Sequence, residues 1–536
     1  MTAIAINRFH ARYRLAPGTD GQRERLQRIL AQVIDNGLEA AVQRRGIDTV
    51  GELCIREVNA LAWLDLSESE SALAAKLALA IADAIESGMG KQGLDLVHYG
   101  SRAHALIDLT VAAVGGDFTR SWAWRRLGVW NAESAVTTAS AVRLVLRALT
   151  AEPRHAAAAL AHLARNPLLF NRLLRHASPP QLLALARAVV GANACSADVL
   201  HPADEGFGMP IPLAAARRLA QRSAIAGATA ASVRIASVED SQRHALAVLA
   251  VCEVEPALLR APGDCVRAFV HAVLEALDEL AGLSPAAARD RSGPRAAFRD
   301  FRSESVVSSG PGRSASHVAP GMESAARQES RRPAEARPSS RSSNALAQSG
   351  VREPRPPEAA PGEHPLPEVR RRAHTRFGGL LYLIHLVNRL GLAERILLEP
   401  RLAERSPRWC LHQLATALVP VPASDPAALA FAGLLPDSEP PCNDQPPPSE
   451  FESAAIAELR GELLRALRDL LDRPDDPESV LIDFVCRRTA EIVADPGWME
   501  ARFSLDDVCT EIRAAGLDLD PGWVSWLGLV IKFVYA

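Results

Sequence analysis

Near the C-terminus the tetrapeptide DPGW occurs twice, at 495–498 and 520–523, within DPGWMEARFSLDDVCTEIRAAGLDLDPGWVSWLGLVIKFVYA (495–536). Asp-Pro-Gly is typical of a tight turn, because Asp can bond the backbone ahead, Pro presets φ and Gly supplies a positive φ. We therefore predict a positive φ at both glycines. The residues interpreted as structural turns are Asp495, Pro496, Gly497, Trp498, Asp520, Pro521 and Gly522.

The segment that joins the two turns predicts a β-α-β unit. Side chains alternate from Trp498 to Phe503, which indicates a strand, and a short helix pattern follows until Gly516. The last residues, LVIKFVYA (529–536), are β-branched and aromatic and predict another strand. The connection is long enough for the two strands to run parallel.

Trp523 and Trp526 follow the second turn, and the sequence leaves two interpretations of them open. They could form an apolar cover on the edge of the sheet. They could instead anchor a protein partner, since Trp is enriched among the residues that dominate binding energy.

The N-terminal residues predict a β-α-β-α unit. Residues 9–15 alternate apolar and polar side chains, which indicates a half-buried strand, and apolar residues recur at helical spacing over 26–42. Residues 52–66 are interpreted as a second strand and 67–87 as a second helix.

The middle of the chain changes from helical to linker-like composition. Residues 91–283 predict short helices separated by Pro or Gly, which favours a helical bundle or an irregular solenoid. Residues 284–373 are rich in Ser, Pro and Arg with few apolar side chains, so we predict a disordered linker there. The alternative for this segment is a basic tether that binds an acidic surface or nucleic acid.

The C-terminal third is predicted to be ordered again. Residues 375–392 indicate one buried apolar helix, and further helices are predicted at 451–474 and 477–493. The predicted fold class is mainly α with α+β ends. The predicted divisions are 1–90, 91–283, 284–373, 374–434, a Pro-rich linker at 435–450, and 451–536.

Composition limits the classes of function. The net charge is −3 with only three lysines, so we expect no binding of nucleic acid driven by overall charge. The eight cysteines form no paired CxxC motif, which fits a reduced cytoplasmic protein. No segment predicts a membrane span, a metal site, a cofactor site or a catalytic motif, and we expect the chain not to be an enzyme.

Four stretches resemble proteins of bacterial contractile injection systems, including the tape measure family of these phage-tail-like machines. The first two are the opening FHARYRL with the helix and strand that follow it, and the helical tract LAHLARNPLLFNRLLRHASPPQLLALA. The others are TRFGGLLYLIHLVNRLGL and FSLDDVCTEIRAAGLDLDPGWVSWLGLVIKFVY. The resemblance implies a structural or assembly role with tube, baseplate or sheath proteins as partners, and incorporation into the particle. It implies no catalytic residues.

A literal length ruler would be long and largely helical, because a helix advances about 1.5 Å per residue. The short helices of this chain make an accessory assembly protein at least as consistent with the pattern. Two alternatives from other classes stay open: a free-standing helical adaptor between proteins, and an enzyme of unknown class.

Overall fold

A computed structural model of the chain describes residues 11–12, 20–47, 51–90, 95–131, 137–193, 213–235, 238–282, 366–443 and 445–536. It confirms a mainly helical fold with β elements in its N-terminal and C-terminal parts. The strand predicted over 9–15 and most of the linker predicted over 284–373 lie outside the described residues. Met1–Arg289 and Pro365–Ala536 belong to one compact unit.

The N-terminal elements build a small core of their own, in which α1, α2 and α3 pack through Ile29, Ala41 and Leu73. The helix predicted over 26–42 is confirmed, with one π turn (Val33–Gly37) between α1 and α2. The elements are α1 (Asp20–Gln32), α2 (Leu38–Arg44), β1 (Glu52–Ile55), α3 (Glu70–Gly90) and β2 (Leu96–Tyr99).

The strand predicted over 52–66 is wrong beyond Ile55. Strand β1 pairs antiparallel with β2, and the ladder spans only four residue pairs, from Glu52 opposite Tyr99 to Ile55 opposite Leu96. Residues 56–66 have no partner strand among the described residues, so their alternating pattern does not become a sheet.

The next part is a bundle of short helices, as the sequence predicts. Pro occupies the first turn of α7, α8 and α9, where its missing N–H costs no hydrogen bond. The side chains of Ser101, Thr137 and Asn166 cap α4, α6 and α8. The helices are α4 (Arg102–Gly115), α5 (Ser121–Arg126), α6 (Thr138–Ala151), α7 (Pro153–Ala164), α8 (Pro167–His176), α9 (Pro179–Ala192), α10 (Leu213–Arg222), α11 (Ala224–Ile235), α12 (Asp240–Val254) and α13 (Gly263–Leu280), with a 3-10 turn at Pro256–Arg260.

Asp108 joins three elements inside this bundle. Its carboxylate accepts hydrogen bonds from the Tyr99 hydroxyl at 2.7 Å and from the Trp124 indole at 2.9 Å, and it forms an ion pair with Arg120 at 2.7 Å. The four groups are buried, and each donor satisfies part of the carboxylate. The network fixes β2 and α5 against α4.

The C-terminal part has a second core between its helices and a sheet, to which Tyr382, Trp409 and Phe431 contribute. Its elements are β3 (Arg371–Thr375), α14 (Ile384–Arg389), α15 (Leu392–Leu398), α16 (Pro407–Leu418), α17 (Pro426–Phe431), α18 (Glu450–Leu471), α19 (Glu478–Cys486), β4 (Ala490–Asp495), β5 (Trp498–Phe503), α20 (Thr510–Ala514), β6 (Gly522–Val524) and β7 (Leu529–Tyr535), with 3-10 turns at Gly378–Leu383, Pro400–Leu402 and Leu505–Asp507.

Three predictions for this part need correction. Residues 366–373 are not linker, because Val369 is buried in the helical bundle and β3 begins at Arg371. Residues 375–392 are largely buried but do not form one helix, since a 3-10 turn at Gly378–Leu383 precedes α14. Gly378 and Gly379 pack closely on Ala490 and on the Val485 carbonyl. Residues 477–493 are helical only as far as Cys486.

The C-terminal sheet has the strand order β3-β4-β5-β7-β6. The first Asp-Pro-Gly turn joins β4 and β5 as an antiparallel hairpin, and β5 and β7 run parallel, as the β-α-β prediction requires. The short strand β6, which the sequence pattern did not reveal, pairs antiparallel with β7. Strands β1 and β2 form a separate sheet, so the two β regions share no ladder among the described residues.

Gly522 allows a direct test of the second turn. Its φ is +68°, while a Cβ added there would meet no atom within 4 Å, so Gly522→Ala acts through backbone strain alone. We expect a loss of about 1–2 kcal/mol in the free energy of unfolding. Gly191→Ala, within α9 and equally open, is the matched control and should gain roughly 0.4–1 kcal/mol. Equal effects of the two substitutions in urea unfolding would contradict this interpretation of the turn.

Candidate functional site

The first DPGW turn lies against the helical bundle. Pro496 and Gly497 form the turn, and Gly497 has a φ of +79°. The sequence interpretation assigns the Asp495 side chain to the turn backbone, but its buried carboxylate instead pairs with Arg370, with both oxygens 3.1 Å from guanidinium nitrogens. The Arg370 guanidinium in turn packs on Gly100, where any side chain would collide with it.

The second turn is tied to the sheet through Asp520. Its Oδ1 accepts a hydrogen bond of 2.7 Å from the backbone N–H of Phe533 in β7. Pro521 follows, and Gly522 begins β6. Asp520 therefore supplies an acceptor to β7 just before β6 begins its own ladder with the same strand.

The tryptophans of the DPGW copies occupy different environments. The Trp498 indole donates a 3.0 Å hydrogen bond to Glu500, and the Lys532 ammonium lies 4.9 Å from its ring. Trp523 is partly buried against the helical bundle, where its indole donates to the Ala192 carbonyl at 3.1 Å.

Trp526 lies in the C-terminal core. It is 3% exposed, and its indole N–H donates to the Asn388 side chain. This placement leaves Trp526 almost no surface for a partner, and Trp523 is the more accessible of the two. Partner binding by Trp523 stays a prediction.

Two further contacts hold the C-terminal part on the bundle. The Arg260 guanidinium donates to the Ser525 hydroxyl at 2.7 Å and pairs with Glu394 at 2.5 Å. At Gly528 the backbone approaches Pro256 so closely that an added Cβ would lie 2.9 Å from the proline ring. Glycine is the residue that permits this approach.

A cleft of about 330 Å³ lies between the bundle and both DPGW turns. Arg154, Arg165 and Arg222 line it with exposed side chains, and Arg408 lies deeper and is partly buried. Arg154 is placed 5.8 Å from the Trp523 ring. We call this space the arginine cleft.

The carboxylates near the arginine cleft are engaged elsewhere or deeply buried. Glu253 accepts hydrogen bonds from Ser223, Ala224 and Ile225 at the N-terminus of α11. Glu255 accepts a 3.4 Å bond from the Arg408 backbone N–H. Burial raises the pKa of both carboxyl groups above the usual value for glutamic acid.

Two histidines of α7 are close to the first turn or to the cleft. His155 is buried beside Gly497, and His162 lines the arginine cleft. Burial lowers the pKa of each imidazole to about 4, and Nδ1 of each has no hydrogen-bond partner among the described residues. Both rings are therefore neutral at pH 7.

One exposed feature was missed in the sequence. Residues 56–66 cross the surface without helix or strand, while Val58, Leu64 and Leu66 pack on the N-terminal core. Leu61 is 82% exposed and Trp63 is 89% exposed. We call residues 56–66 the apolar arm. The alternating pattern predicted a strand and so did not indicate that Leu61 and Trp63 are exposed. Alternation alone does not say which face a sheet would cover.

Within the described residues, no group of three or more His, Cys, Asp or Glu side chains is arranged to hold a metal ion. None of the helices described is long and apolar enough to cross a membrane. No protein-family model matches the sequence, and no curated protein or solved structure matches it either.

The buried ion pair at the first turn can be tested against its neighbour. Arg370→Met leaves the Asp495 carboxylate buried and uncompensated, so we expect a loss of about 3–5 kcal/mol in the free energy of unfolding. Arg371→Met removes an exposed pair with Asp437 and should cost less than about 1 kcal/mol. Urea unfolding of both variants measures the difference, and similar losses would refute a special role for Arg370.

His155 predicts a dependence of stability on pH. Its folded pKa lies below the unfolded value of about 6.5, so the unfolded chain binds more protons in acid and stability falls as the pH drops below about 6.5. For this residue we expect a loss of about 2 kcal/mol between pH 7 and pH 5. His155→Gln should reduce that loss in urea unfolding, whereas His176→Gln, exposed at the end of α8, should not. An unchanged pH dependence in His155→Gln would disprove the assignment.

Proposed function

We propose that this chain is a non-enzymatic structural or assembly component of a bacterial contractile injection system. It acts in the cytoplasm, where it binds a tube, baseplate or sheath protein during assembly and is incorporated into the particle. The four stretches that resemble proteins of these systems support the proposal, and two of them lie in the C-terminal core around the DPGW turns.

The apolar arm is the observation that carries the binding role. A buried Trp side chain contributes roughly 2–3 kcal/mol to association, and exposed Trp residues are enriched at binding sites. Trp63 and Leu61 project from a segment that is anchored on both sides by Val58 and Leu64. Such an arm presents its two apolar side chains at low entropic cost, because its ends are already ordered.

The partner that fits this surface has an apolar groove wide enough for an indole ring. Acidic side chains at 57 and 65 flank the two exposed residues, so a basic rim around the groove would complement the arm. A subunit of the injection particle with these properties is the proposed partner.

A helical adaptor is the second candidate, and Leu168 favours it. This side chain is 81% exposed on α8 and offers an apolar contact on the helical bundle. The bundle does not stand alone over 119–283, because Leu106 of α4 and Val369 also belong to its core. An adaptor would therefore act as the full chain.

The two candidates make opposite predictions for paired variants of the full chain. If the proposed role is correct, the chain co-purifies with assembled particles, and Trp63→Ser reduces that association by about tenfold or more. Leu168→Ser, a substitution at a similarly exposed residue, should leave it intact. Loss of association in Leu168→Ser alone would favour the adaptor, and no association of the wild-type chain with particles would contradict the proposal.

Deletion of the gene tests the assembly role itself. Particles should be short or absent without the chain, and reintroduction of the wild-type sequence should restore them. Particles of normal number and length in the deletion strain would refute an assembly role, whatever the binding measurements give.

A further inference from the structure

The arginine cleft brings together guanidinium groups that lack direct ion-pair partners in the part of the chain that the structure describes. Among the described residues, no ion pair or side-chain hydrogen bond involves the guanidinium groups of Arg165, Arg222 or Arg408. Other arginines of the chain do form ion pairs: Arg401 and Arg405 each pair closely with a glutamate. Like charges that converge in a concave site repel one another and attract an anion.

The nearby carboxylates offset these arginines only without direct pairing. Glu255 acts electrostatically on Arg408 and Arg222, and Glu253 acts on Arg165 and Arg408, but neither forms an ion pair with these guanidinium groups among the described residues. Both oxygens of Glu253 accept hydrogen bonds from the start of α11, and Asp495 is paired with Arg370. Over the residues that the structure describes, no carboxylate oxygen lies within 4.0 Å of the Arg408 guanidinium, and its buried Nε has no acceptor. A buried N–H without an acceptor is costly, and an oxygen of a ligand would relieve that cost.

We propose that the arginine cleft binds a small anionic ligand through a phosphate or carboxylate group. Guanidinium groups recognise both groups through paired N–H donors in a fixed plane. Arg408 would contact the anion from the inner end of the cleft, and Arg165 and Arg222 would contact it from the rim.

The remainder of the cleft accommodates an apolar part of the ligand. Leu434, Leu527 and Leu529 line it from the C-terminal part, and Trp523 adds an aromatic wall. A volume of about 330 Å³ lies within the range of small-molecule sites and is too small for a nucleic-acid duplex. The neutral His162 ring adds a hydrogen-bonding group without adding charge.

A ligand in the cleft would contact two parts of the fold at once. It is lined by α7 and α12 on one side and by both DPGW turns on the other, so a bound anion contacts the bundle and the C-terminal sheet together. Binding should therefore stabilise the folded chain by an amount that increases with the concentration of the ligand.

Calorimetric titration of the full chain tests the site, with inorganic phosphate and succinate as separate probes at constant ionic strength. We expect saturable binding of at least one probe to the wild-type chain, weakened roughly 10- to 100-fold in Arg165→Met and Arg222→Met. Both residues are exposed, so the variants should keep their fold. Arg147→Met, exposed on α6 outside the cleft, is the control and should bind like the wild type.

The probe that binds identifies the anionic group that the cleft recognises: inorganic phosphate stands for a phosphate group and succinate for a carboxylate group. Melting temperatures give an independent test. The same probe should raise the melting temperature of the wild type and of Arg147→Met, but not that of Arg165→Met or Arg222→Met. No saturable binding of either probe to the wild type overturns the proposal. Equal binding by the cleft variants and the control also overturns it, because general anion effects would explain that result.

Discussion

The pairing of Arg370 with Asp495 is the constraint on which the C-terminal architecture depends. Asp495 ends β4 at the first DPGW turn, and Arg370 stands just before β3, so the pair fixes the first strand of the sheet beside the hairpin. The same guanidinium packs on Gly100, which lies between β2 and the first helix of the bundle, α4. Because the carboxylate is buried, it must keep this partner, and the segment around Arg370 is held in place.

Buried, paired carboxylates connect separate elements of the fold. Asp108 and Asp495 each have a guanidinium partner at hydrogen-bond distance, and both serve to connect separate elements. The arginine cleft lies beside the first DPGW turn, and among the described residues Arg165, Arg222 and Arg408 have no such ion-pair partner. Structural charges are thus neutralised internally, whereas the cleft leaves cationic groups available to a ligand.

The sequence predicted features that depend on local chemistry and missed those that depend on distant contacts. Positive φ at Gly497 and Gly522, the parallel pairing of β5 with β7, and the long helix α18 all follow from nearby residues. Local patterns could not show that Arg370 would pair with Asp495, which lies 125 residues away. The arginine cleft gave no signal either, because its four arginines come from three separate regions of the chain.

Cleavage of the full chain at one site within 283–365 tests most directly whether the helical bundle and the C-terminal sheet form one interlocked unit. The contacts of Arg370, Trp523 and Gly528 with the bundle predict that the two fragments remain bound. They should therefore co-elute in native size-exclusion chromatography and separate only in denaturant. Separation of folded fragments under native conditions would contradict the account.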